Sequence, residues 1–326
     1  MKSDISSIGK RVLKARSTLL VGAFIVVVII FAILNPRFLT VTNVRNVVLQ
    51  MSINMIIAVG MTFVIISGGL DLSVGSIGIM SGCFVGVMLG AWTDKMSPGV
   101  LIPMVVVLGL LLGMFAGLIN GLVIAKLKVP PFVATLGMLN VARGMALIIT
   151  GGYIISGFPE EFNQIGIGFF LGVPFPVYVM AIMVIAGHIL LSKTEFGLNT
   201  YAIGGNTKAA RLAGLKIDAM TIKIYVLSGF VSAVSGILLT ARVISAQPAL
   251  MASTNLEVIA SVFVGGSSMG GGRGSMPQTL LGAIFMAVLF NGLNILGVGY
   301  EWQVIVIGII LIIAVAIDMR TRRSEG

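Results

Sequence analysis

A train of long apolar stretches constrains this chain more than any other feature. A helix needs about 20 apolar residues to cross the hydrocarbon core of a bilayer. Roughly ten such stretches occur, at about 18–34, 52–69, 72–92, 100–125, 132–152, 174–191, 222–243, 257–270, 277–297 and 303–318. Little polar sequence is left between them. Only 10% of the 326 residues are charged, against about 25% in a soluble domain. That excludes a soluble globular enzyme, and the 57% hydrophobic content excludes a disordered chain. A single Cys excludes a disulfide framework or a multi-Cys metal site. The expected fold is an all-α polytopic membrane protein of about ten transmembrane helices, in a single domain over 1–326. The eighth stretch is short and runs into Gly-Gly-Ser-Ser-Met-Gly-Gly-Gly at 265–272, so a broken helix is expected there.

The net charge of +10 would suggest nucleic acid in a soluble protein. Here it is sorted by side, as the positive-inside rule requires. Lys2, Lys10, Arg11, Lys14 and Arg16 precede the first span, and Arg320, Arg322 and Arg323 follow the last. Both termini therefore read as cytoplasmic, which demands an even number of spans. The even-numbered loops hold Lys126, Lys128, Lys193, Lys208, Arg211, Lys216, Lys223 and Arg273, while the opposite loops hold only Arg37, Arg45 and Lys95. Trp92, Tyr153, Tyr300 and Trp302 fall at predicted outer ends, where an aromatic belt forms. The first span is too long for a signal-peptide core and has no small-residue cleavage site after it, so it is expected to remain as a helix.

Gly78, Gly82, Gly86 and Gly90 recur every four residues in the third span, and Gly109, Gly113, Gly117 and Gly121 in the fourth. Each set makes one smooth stripe. Close packing within the chain is the first reading; a path lining or a subunit contact is the alternative.

Few residues suggest chemistry. Gly266-Ser-Ser-Met-Gly270 fits the G-x-S-x-G elbow of hydrolases. The single His, His188, shows no sign of being its base. No P-loop occurs. No Asp or Glu stands at a predicted span centre, which argues against an ion-coupled carrier. Thr254-x-x-Glu257 reads as a capping box opening the eighth span. Arg143 lies mid-span, where a charge must face protein or water. It borders a translocation path or anchors helices. The in-span amides Asn54, Asn120, Asn140 and Asn291 line that path or hydrogen-bond between helices.

The longest polar loop, 192–223, reads as cytoplasmic. Within it Gly204-Gly-Asn206 opens a short helix carrying Lys208, Ala209, Ala210, Arg211 and Ala213, and Gly214 stops it. A basic helix of this kind touches lipid headgroups or docks a cytoplasmic partner.

Ala209-Ala-x-x-Ala-Gly214 resembles the coupling segment of ATP-binding-cassette (ABC) importer permeases, with Lys208 where that motif has Glu. Ala58-Val-Gly-Met-Thr62, Gly69-Leu-Asp-Leu-Ser-Val-Gly-Ser76 (with Asp71, Ser73 and Gly75), Asn120-Gly121, Pro130-Pro-Phe-Val-Ala-Thr-Leu-Gly137 (with Pro131, Phe132 and Thr135), Thr200-Tyr-Ala-Ile-Gly-Gly-Asn-Thr207 and Trp302-Gln303 are similar to motifs of ribose-type monosaccharide permeases. They run in the family's order over nearly the whole chain. The resemblance implies a ten-span permease subunit of the bacterial inner membrane, paired with a second permease copy. A cytoplasmic ABC ATPase subunit and an extracytoplasmic sugar-binding protein are its implied partners. It implies no catalytic residue, cofactor or nucleic acid. Residues 206–214 are then the ATPase-coupling element, and Arg37, Arg45 and Arg242 are candidate contacts for the binding protein. The other reading is an ion-coupled secondary carrier of small polar solutes.

Overall fold

The computed structural model describes residues 20–323. The basic tail expected on the cytoplasmic side lies outside them. Helices α1 (Leu20–Leu34), α2 (Val41–Ile66), α3 (Val74–Trp92), α4 (Pro98–Lys126), α5 (Pro131–Thr150), α6 (Glu160–Ile167), α7 (Phe175–Lys193), α8 (Glu195–Gly205), α9 (Thr207–Leu212), α10 (Ile217–Arg242), α11 (Thr254–Val264), α12 (Met276–Ile295) and α13 (Tyr300–Arg323) follow in order. Eight of them are long and apolar enough to cross a membrane: α2, α3, α4, α5, α7, α10, α12 and α13. The expectation of ten full spans is corrected at α11, which has 11 residues and stops before the glycines at 265–272, the broken helix expected there. At 1.5 Å per residue α11 rises about 16 Å, half of a core about 30 Å thick.

The all-α expectation also needs a small correction. Two short ladders occur, β1 (Ile155–Ser156) with β4 (Ser245–Ala246) and β2 (Phe169–Phe170) with β3 (Val173–Pro174). The first is tied to the missing half of α11. Residues 243–253, between α10 and α11, are not helical. At membrane depth such backbone survives only when protein covers it and pairs its polar groups. β1 supplies pairing here, with Ile155 opposite Ala246. Gly75 lets the segment lie down on α3: a Cβ there would sit 2.6 Å from the Met251 carbonyl.

Helix α10 is the axis of the bundle, packed against α2, α3 and α4. Both glycine stripes turn toward it. A Cβ on Gly82 would stand 2.7 Å from the Gly236 carbonyl, and one on Gly113 2.7 Å from the Gly229 carbonyl. Any side chain there would push the backbones apart, so close packing inside the chain accounts for the stripes. Gly90 lies beyond this contact. Helix α2 is the most enclosed span, buried from Met55 through Ile66. It begins at Val41, well before the predicted 52. Asn43, Arg45, Asn46 and Gln50 make its first turns too polar for a hydropathy window, although they are helical. It stops at Ile66 because Gly68 turns left-handed at φ 83°.

Candidate translocation site

The first constellation lies where α2 turns into α3. Asp71 is 1% exposed. Its Oδ1 accepts from the Ser73 N–H (2.9 Å) and the Ser73 hydroxyl (2.5 Å), and its Oδ2 accepts from the Ser228 hydroxyl on α10 (2.7 Å). Asn120 of α4 donates to Ser73 Oγ (2.9 Å). Thr135, one turn into α5 after Pro131, donates to the Pro131 carbonyl (2.8 Å) with the Leu70 carbonyl also in reach (3.3 Å), and the Tyr225 hydroxyl donates to the Leu70 carbonyl (3.2 Å). The turn thus pins α3, α4, α5 and α10 together. Burial pushes the Asp71 carboxyl above its ordinary range, against the pull of its serine donors. Five quoted motif residues (Asp71, Ser73, Gly75, Pro131 and Thr135) have structural work here or beside it. Phe132 points outward, 53% exposed.

The second constellation is a cavity of about 400 Å³ between α2, the end of α10 and the start of α11, lined by Gln50, Asn54, Arg242, Met251, Thr254 and Glu257, among others. Glu257 Oε2 accepts from the Asn54 amide (3.0 Å), and Oε1 accepts from the Ser253 hydroxyl (2.9 Å). Asn54 stands midway along α2. Glu257 is therefore level with the middle of α2. One expectation is corrected: the cap of α11 is Ser253 and no capping box forms. Arg242, at the C-terminal end of α10, lines this cavity. Arg45 sits over the Phe169 ring, 6.0 Å from its centroid.

The other in-span candidates are not brought together. Asn120 is spent on Ser73. Asn291 exchanges two hydrogen bonds with Asn43 (2.8 and 2.9 Å). Asn140 is exposed and donates to the Leu136 carbonyl of its own helix (3.0 Å). Arg143 borders a separate space of about 20 Å³ beside Pro248 and Asn255. The elbow serine, Ser268, is buried and donates to Asp318 (2.8 Å). His188 is exposed on α7.

The third constellation is the end that carries α8 and α9. Asn206 caps α9 by accepting from the Ala209 N–H (3.0 Å), and Gly214 ends it at φ 85°. Ala210 faces inward; Lys208, Ala209, Arg211 and Ala213 are exposed. Leu212 is 90% exposed, a feature that the small-residue pattern does not signal. Lys126, Lys128, Arg211 and Lys216 surround Asp218, with Lys128 paired to it at 2.8 Å. Lysines from two separate loops with the same predicted side thus meet at one end. Helix α8 is also bonded inward. Tyr201 donates to the Gly274 carbonyl (2.8 Å), and burial pushes its phenol pKa up. The Gly272 N–H donates to the Ile66 carbonyl at the end of α2 (2.8 Å). A Cβ on Gly271 would meet the Gly204 carbonyl at 2.8 Å. The glycine segment at 265–272 therefore touches both the end of α2 and α8.

Residues 43–315 match the family model described as the permease component of branched-chain amino acid transport systems. The chain belongs to this permease family. A ribose import permease of Bacillus subtilis (strain 168) is 45% identical to this permease over 301 residues, 92% of the chain and 91% of the relative. A ribose import permease of Escherichia coli (strain K12) is 38% identical over 300 residues, 91% of each. An L-arabinose transport system permease of the same strain is 37% identical over 302 residues, 93% of the chain and 90% of the relative. No solved structure gives a significant match. The spans, the family and the long apolar helices make this a multi-pass membrane permease.

Proposed function

We propose that this permease is the membrane subunit of an ATP-driven monosaccharide importer of the bacterial inner membrane, with ribose as its sugar. A separate cytoplasmic ABC ATPase supplies the energy, a sugar-binding protein delivers the sugar outside, and a second permease copy completes the pore. In this reading about ten membrane-entering segments leave both termini cytoplasmic. The substrate follows from the ribose permeases to which the chain is similar. The coupling follows from one observation: α8 is bonded to the linker between α11 and α12. A push on α9 reaches that linker through Tyr201 and Gly274, and α11 carries it to Glu257 in the cavity. Such packed elements switch between discrete arrangements. Asn206, Lys208, Arg211 and Leu212 form the surface that meets the ATPase; the Gly214 turn holds α9 at its angle.

The test is Leu212→Asp. Its side chain is 90% exposed, so the fold is unaffected, while a charge in an apolar contact costs several kcal/mol. ATP-dependent ribose uptake is expected to fall at least tenfold with normal insertion. Unchanged uptake sinks the coupling surface. A second reading, an ion-coupled carrier, draws on Glu257 level with the middle of α2, since carriers place ionisable groups within their spans. Ribose uptake on a proton gradient without any ATPase selects it.

A further inference from the structure

We infer that the Glu257 cavity is where a neutral polyhydroxylated ring rests during transit, and that it reads the ring's hydroxyls. The inference rests on the sugar-permease reading above. The cavity volume of about 400 Å³ falls in the range of about 300–1,000 Å³ typical of small-molecule sites. Its lining has two kinds of surface. Glu257 is a pure acceptor, Arg242 a pure donor, and Gln50 and Asn54 are both. Ile53, Leu239 and Met251 are apolar. A sugar ring has the same division, with hydroxyl edges and C–H faces.

Charge decides between solute classes. Glu257 and Arg242 line one cavity but form no ion pair, and the Arg242 side chain makes no hydrogen bond among the described residues. Glu257 is already held by Asn54 and Ser253. Each of its oxygens has lone pairs left for a hydroxyl donor. Arg242 offers donors to hydroxyl oxygens on the opposite side. A neutral ligand that both donates and accepts fits between them without stripping either charge of a partner.

The placement is also mechanical. The site sits at the start of α11, level with the middle of α2, next to irregular backbone with Ile244 and Met251 at positive φ (54° and 60°). Non-glycine residues in that region carry strain and cluster at sites that switch. Half-helices ending at the midplane are a recurrent way to build a transit site. Bonds of this number and kind hold a sugar weakly enough for it to leave.

The experiment is uptake by proteoliposomes holding the whole importer, fed by its binding protein loaded with ribose or with 2-deoxyribose. The same binding protein serves parent and variant, so the ratio of the two uptake rates isolates the permease. Glu257→Gln is expected to slow ribose uptake about 10- to 100-fold, the effect of one hydrogen bond to a charged group, and to narrow the ribose preference. Glu257→Asp restores part of both. Arg242→Gln makes a second variant that leaves no protein partner orphaned, and the same narrowing is expected. Slower uptake with an unchanged sugar ratio in both variants overturns the inference, because a merely structural role predicts that. Parent-like rates and ratios overturn it too, and leave the functional reading standing. A parent importer that takes up no ribose with ATP overturns both.

Discussion

Removing the Asp71 carboxyl tests the account of the α2–α3 turn. Asp71 is buried and accepts from the Ser73 N–H, the Ser73 hydroxyl and the Ser228 hydroxyl. In Asp71→Ala both hydroxyls can swing to carbonyls of their own helices or turns. The Ser73 N–H cannot, and an orphaned buried donor costs about 1–3 kcal/mol. The lost packing of the carboxyl adds about 1 kcal/mol. The total, about 2–4 kcal/mol, corresponds to a drop of several degrees in melting temperature. Asp71→Asn behaves differently. The amide is close in shape and keeps an acceptor oxygen for the Ser73 N–H, so under half of that cost is expected. Melting of the detergent-solubilised permease, followed by size-exclusion chromatography after heating, reads both. An Ala variant melting within about 1 °C of the parent refutes the network. So does an Asn variant as damaged as the Ala variant.

Two further outcomes follow from the packing. Gly113→Val places side-chain atoms 2.7 Å or less from the Gly229 carbonyl, where backbone cannot yield; overpacking costs about 1–3 kcal/mol, read as reduced recovery of monodisperse protein. Asn43→Ala orphans the Asn291 amide and Asn291→Ala orphans the Asn43 side-chain carbonyl oxygen, while the Asn43 side-chain N–H keeps the Phe38 carbonyl, so each single change is expected to destabilise by about 1–3 kcal/mol. The double variant is expected to lose clearly less than the sum, and simple additivity contradicts the pairing.

Much of the scaffold was legible because length and hydropathy report spans directly. Spans α3, α4, α5, α7, α10, α12 and α13 start within a few residues of their apolar runs. The four-residue glycine spacing announced close packing, though nothing in it named α10 as the partner. Helix α11 was misread in extent. Its apolar residues run on into glycines, and a hydropathy window cannot tell a short helix plus loop from a full span. That error hid the place of Glu257 beside the middle of α2, because depth was counted from the end of a span that does not exist in full. The Asp71 network was illegible for another reason. Ser228 is 157 residues away in sequence, and no local pattern marks a serine on a buried helix face as anyone's partner. The amides show the limit of composition arguments: four in-span Asn residues look alike in sequence, yet one faces the cavity and the others pair elsewhere.

The central claim is that ATP hydrolysis by a partner at the α8–α9 end drives sugar through the cavity at the head of α11. The most direct test is ribose uptake into proteoliposomes under two driving forces. With the ATPase, binding protein and ATP present, uptake is expected to proceed and to survive collapse of ion gradients by an uncoupler. Uptake that needs no ATPase and runs on an imposed proton gradient contradicts the account.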